Sequence, residues 1–159
     1  MKAATIIEIK KELKYRTQEQ LIDYCLAMAR FKLESKELLT YLVFESDDEQ
    51  AYIKGVKEYI STEFGNITAT NFFFIKKSVR KILRQTKRYV RYSKKKETEA
   101  ELLIYFCSEL KELRPSITRN RVLTNMYNMQ LSLAKKAIAK LHEDLQYDYN
   151  LMIDELDEQ

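Results

Sequence analysis

Residues 71–96 read NFFFIKKSVRKILRQTKRYVRYSKKK, Asn71 to Lys96. Wound at 100° per residue with Ile75 at zero, Val79, Ile82, Leu83, Thr86, Tyr89 and Val90 fall within one arc. Lys76, Lys77, Arg80, Lys81, Arg84, Lys87, Arg88 and Arg91 fill the opposite arc. A strand alternates every second residue and would scatter this set over both faces. The segment holds no Gly or Pro, so the pattern predicts one long helix over about 71–92, apolar on one side and cationic on the other.

The same period extends outward in both directions. Toward the N-terminus, a short helix is expected over Ala3 to Leu13, with Ile6, Ile9 and Leu13 on one side. Thr17 and Gln20 form a capping box that opens a second helix to about Phe31, its stripe being Ile22, Cys25, Leu26 and Ala29. Ser35 is the expected cap of a third helix, and Asp47 or Asp48 that of a fourth, stopped by Gly65. Thr68 and Thr70 are candidate caps for the cationic helix. Toward the C-terminus, Thr98 marks a turn before a helix over about Glu99 to Leu113, which Pro115 ends. Ser116 or Thr118 caps the last element. From Arg119 to Leu156 there is no Gly or Pro, which fits one long helix or two with a break near Asn125 to Asn128.

The chain has 159 residues with only two glycines and one proline, so tight hairpin turns have few places to form. The expected fold is all-α, one domain over 1–159 of about six to eight helices, as an antiparallel helix stack or a short irregular α-solenoid. An echo supports the solenoid form. Glu37-Leu38-Leu39-Thr40-Tyr41 matches Glu101-Leu102-Leu103-Ile104-Tyr105, each with Glu four residues past the Tyr. It divides the domain into two helical subunits, about 17–64 and 70–156. Coincidence in a chain rich in Leu, Glu and Tyr explains the echo equally well, and no repeat consensus is present.

Cys25 and Cys107 form no CxxC pair and no metal-ligand spacing, and both are expected buried and reduced on apolar helix faces. No secretory h-region is visible at Met1 to Lys14, and no run approaches the roughly 18 apolar residues that span a bilayer. The expected setting is cytoplasmic, with no membrane partner.

The net charge of +4 hides a strong polarity. Adding Lys94, Lys95 and Lys96 to the helix gives eleven cations between Asn71 and Lys96 with no acid among them, against seventeen bases and twenty-four acids elsewhere. Like charges four apart on a helix repel, so such a face calls for an anionic neighbour. One candidate is a nucleic-acid backbone, whose counterions a cationic ridge displaces. Tyr89 and Tyr92 would stack on bases or anchor the ridge to the core. The other candidate is the chain's own acidic end, Glu143, Asp144, Asp148, Asp154, Glu155, Asp157 and Glu158, beyond the last base at Lys140. The apolar stripe should be needed by the core, which argues against lipid insertion.

Other chemistry has little to stand on. Glu45-Ser46-Asp47-Asp48-Glu49 lacks the glycine and twelfth-position glutamate of a calcium loop, and capping explains its acids. His142 is the one histidine and is expected on the surface. No nucleotide-binding, nucleophile-elbow or zinc motif occurs, so no catalytic residue, metal or cofactor is assigned. Phe72-Phe73-Phe74 spread over 200° of a helix, so at least one ring leaves the core. Phe72, Phe73, Tyr89 and Tyr92 are therefore candidate interface residues. The sequence reads as a non-enzymatic helical scaffold or protein-interaction protein, self-association included. A nucleic-acid-binding module using Lys76 to Lys96 is the alternative.

Overall fold

The computed structural model describes residues 1–158, and among them the chain is helical with no strand. It divides into two compact units, Met1–Phe44 and Glu45–Gln159.

The first unit holds α1 (Ile6–Leu13), α2 (Gln18–Phe31) and α3 (Leu33–Thr40), which runs into a π-helical turn beginning at Tyr41. Thr5 and Thr17 cap α1 and α2, each in a reciprocal capping box, with Glu8 and Gln20 respectively. Ser35 is not the cap of α3. The single residue Lys32, extended at φ −143°, breaks α2 from α3, so Ser35 already lies in the first turn. α2 and α3 pack together, whereas α1 packs along neither. Of this unit's residues only Tyr41 is buried. Cys25 is exposed, contrary to expectation, because the stripe it shares with Ile22 and Leu26 meets too little neighbouring surface to be covered.

The second unit holds α4 (Glu49–Gly65), α5 (Phe72–Ser93), α6 (Lys96–Glu112), a 3₁₀ turn (Ile117–Arg119), α7 (Arg121–Ile138) and α8 (Glu143–Glu158). α6 is its axis, packed by α4 and α5 and by α7 and α8. That position explains why Leu102, Leu103, Ile104, Phe106, Cys107 and Leu110 are all buried, and why even the polar arc of α6 at Glu97, Glu101, Tyr105, Ser108 and Glu109 is half-buried. Phe106 meets the edge of Phe64 at 5.4 Å between ring centres. Cys107 is buried as expected, its thiol donating to the Tyr127 carbonyl at 3.7 Å.

Asp48 caps α4 through the Ala51 N–H, and Gly65 is the last helical residue rather than a left-handed stop. Asn71, not Thr68 or Thr70, caps α5 by accepting from the Phe73 N–H at 2.8 Å. At the other end of α5, Lys94 turns the chain in the left-handed region at φ 60°. Glu49 fastens that turn: its carboxylate accepts from Ser93 Oγ, from Thr98 Oγ1 at 2.5 Å and from Lys95 Nζ at 2.9 Å. Thr98, expected as a turn residue, is thereby drawn into the buried first turn of α6.

The segment Arg119 to Leu156 forms two helices, but the break falls at residues 139–142, not at Asn125 to Asn128. Asn125 and Asn128 lie inside α7. Propensity is outweighed by burial here: folding back lets Ile138, Tyr149, Ile153 and Leu156 join Cys107 and Leu131 in one cluster. The carbonyls freed at Leu141 and Ala139 are taken up by Gln146 Nε2, at 2.8 and 3.4 Å.

Candidate nucleic-acid interface

α5 is amphipathic as its sequence dictates. Ile75 and Val79 are fully buried, as are Ile82 and Thr86 to within 1%, and the Thr86 hydroxyl turns back to the Ile82 carbonyl at 2.9 Å. With that stripe in the core, the opposite face must point outward. Lys77, Arg80, Lys81, Arg84 and Arg91 are exposed, and Lys76, Lys87 and Arg88 are half-buried along its flanks. Among the described residues, no carboxylate lies within ion-pair distance of Lys76, Lys77, Arg80, Lys81, Arg84, Lys87 or Arg91. Arg88 donates to Gln85 Oε1 at 3.2 Å.

The exit turn behaves differently. Lys94 is exposed, but Lys95 is held by Glu49 and Lys96 pairs with Glu99 at 2.5 Å. The eleven cations thus separate into a ridge on α5 whose charge faces solvent and a turn whose charge is partly met by its own fold.

The acidic end does not supply the missing neighbour. α8 lies on α6 and α7, with Tyr149, Ile153 and Leu156 turned inward. Its carboxylates at Glu143, Asp144, Asp148, Asp154, Glu155, Asp157 and Glu158 are all exposed, and none is ion-paired to α5 among the described residues. His142, exposed, accepts at Nδ1 from the Asp144 N–H at 3.3 Å, a contact made because His142 immediately precedes α8 and Asp144 lies in its first turn.

The aromatic residues also divide. Tyr92 is buried, and Tyr89 is half-buried between Tyr59 and Tyr92, edge-on to both at 5.5 and 6.2 Å. The Tyr52 hydroxyl donates to the Tyr89 carbonyl at 2.8 Å. These two tyrosines anchor the ridge to the core and offer no open ring face. At the other end, Phe73 is 67% and Phe74 54% exposed, packed edge to face at 5.3 Å. On the helical wheel Phe73 falls in the middle of the cationic arc, with Lys77, Arg80, Arg84 and Arg91. These five side chains form one line about 27 Å long. Phe72 turns aside, into a cleft it shares with Thr70, Asn71, Arg114, Pro115 and Arg119.

Arg114 and Arg119 extend positive charge around the head of α5, and the sequence reading passed over them. In the sequence Arg114 adjoins Pro115 and Arg119 lies four residues beyond it, a spacing that carries no register with α5.

Other groups with altered chemistry lie in the core. Burial pushes the Cys107 thiol up to about 12 from 9.0. Burial, then the carboxylates of Glu101 and Glu97, hold the Tyr149 hydroxyl above its ordinary range; it donates to them at 3.0 and 3.2 Å. Glu101 is also paired with Lys57 at 2.6 Å. These contacts bind α4, α6 and α8 together. No three His, Cys, Asp or Glu side chains among the described residues are grouped to hold a metal ion. Among them no helix is long and apolar enough to cross a membrane. No protein-family model, curated protein or solved structure matches the chain.

Proposed function

We propose that this protein binds nucleic acid along the outer face of α5, with Lys77, Arg80, Arg84 and Arg91 on the phosphate backbone and Phe73 stacked on a base. The carrying observation is that, among the described residues, seven cations of one helix have no carboxylate within ion-pair distance, although the chain has acids to spare. A line of cations one to two turns apart lowers its own repulsion when a polyanion lies along it and releases that polymer's counterions. An exposed aromatic ring within the line adds sequence-tolerant stacking. A single strand suits this arrangement better than a duplex, whose bases present no open faces.

The buried stripe of α5 argues against the membrane alternative, since its apolar side is in the core and only Phe73 and Phe74 at its head are left outside, too little to hold a helix in a membrane surface. Fluorescence anisotropy of labelled single- and double-stranded oligonucleotides separates the cases, with vesicles rich in anionic lipid as a third arm. The expected result is salt-sensitive binding near micromolar strength, tighter for the single strand. Binding to vesicles alone, or to nothing at low salt, would overturn the proposal. The protein-interaction reading rests on a different part of the chain.

A further inference from the structure

The first unit has apolar side chains but almost no interior. Of the 21 large hydrophobic residues exposed among the described residues, 15 lie between Met1 and Phe44. They include Ile6 at 79%, Phe31 at 81% and Phe44 at 78%. Together they leave on the order of 1,000 Å² or more of surface open, above the ~800 Å² that each partner buries in a standard protein interface. A 44-residue unit is also close to the ~40-residue size below which a helical segment usually needs association to hold together.

Two complementary features stand side by side in this surface. One is a groove of about 680 Å³ between α2 and α3, floored by Leu26, Leu33, Leu39, Val43 and Phe44 and edged by Arg30, Lys32 and Lys36. The other is α1, whose exposed Ile6, Ile9 and Leu13 lie in one stripe and which packs along neither α2 nor α3. Glu12 flanks that stripe and can face the basic edge of a groove, its one ion pair among the described residues being a 3.6 Å contact with Arg16 at the surface.

We infer that Met1–Phe44 is a self-association unit, in which the apolar stripe of α1 from one copy fills the α2–α3 groove of a second, and reciprocally. Every copy carries both the stripe and the groove. A twofold exchange therefore satisfies both at once and closes, which an unrelated partner fitting only one of them does not do. The charges set the orientation: residues 1–44 hold eight bases and six acids, and Lys10 borders the stripe on the side away from Glu12, so Glu12 is the flank that meets the basic edge.

Sedimentation equilibrium of the full chain tests this, with Ile9→Asp/Leu13→Asp as the stripe variant and Leu33→Asp/Val43→Asp as the groove variant. All four residues are exposed, so the helical circular dichroism should be retained. The wild type should sediment at twice its 19.0 kDa, and either variant should raise the dimer dissociation constant by at least about 100-fold. An equimolar mixture of the two variants should recover part of the dimer, because one intact stripe then meets one intact groove. A monomeric wild type, a dimer indifferent to both variants, or a mixture that recovers nothing would overturn the inference. Gln substitutions on α5 should leave the mass unchanged.

Discussion

Phe73 and Cys107 show two opposite uses of an apolar side chain in one fold. Phe73 leaves the core because three consecutive aromatics cannot share one helix face, and it emerges among cations. Phe73→Ala should weaken single-strand binding by about 1–3 kcal/mol, the usual worth of one stacked base, with little effect on duplex binding or on melting temperature. Anisotropy with matched oligonucleotides reads the difference. Cys107 is wholly buried, and its thiol stays protonated in the folded state up to about pH 12, whereas the unfolded thiol ionises near 9.0. The stability from this group is therefore complete below pH 9.0 and is lost as pH rises toward 12. One proton corresponds to about 1.4 kcal/mol per pH unit. Urea unfolding across that range should show a decline that is shallower in Cys107→Ala by up to that amount. Tyr149, held neutral in the same direction, adds to the decline from about pH 10 and is unaffected by that substitution.

At the level of single elements, α5 carries five like-charged pairs four residues apart: Lys76 with Arg80, Lys77 with Lys81, Arg80 with Arg84, Arg84 with Arg88, and Lys87 with Arg91. Each costs a few tenths of a kcal/mol, so the helix bears about 1–2 kcal/mol of screenable repulsion. Raising salt without any ligand should raise the melting temperature, and Lys77→Gln/Arg80→Gln/Arg84→Gln/Arg91→Gln should raise it at low salt and remove most of that salt response. Differential scanning calorimetry reads both. α5 was almost fully legible in the sequence because its period, its cap region and its charges are all local. Asn71 could be read as easily as Thr70, but the choice between them depends on where the chain enters the core. The α7–α8 break was not legible. Nothing in residues 139–142 resembles a helix stop, and the turn exists because Ile153 and Leu156 gain burial beside Cys107, far away in sequence. Glu49 was hidden for the same reason, as its three donors lie 44 to 49 residues away. The stripe containing Cys25 looked like a core face from its spacing alone, yet spacing cannot say whether a second surface exists to cover it.

On the scale of the whole molecule, two properties have been divided between two units. The second unit has a filled interior, a cationic line outside it and acidic groups turned elsewhere, so its charge polarity survives folding. The first unit keeps apolar stripes that its own helices leave open. A protein that pairs through one unit would present two copies of α5 to a polymer, and linked sites bind a long strand more tightly than separate ones. The central claim, however, concerns α5 alone. Its most direct test is the slope of log affinity against log salt for a short single strand, compared between the wild type and the four-Gln variant of α5. The wild type should show a steep negative slope, and the variant should lose about 3 from its magnitude, ~0.7 for each phosphate contact removed. An unchanged slope, or no binding by the wild type at low salt, would contradict the claim.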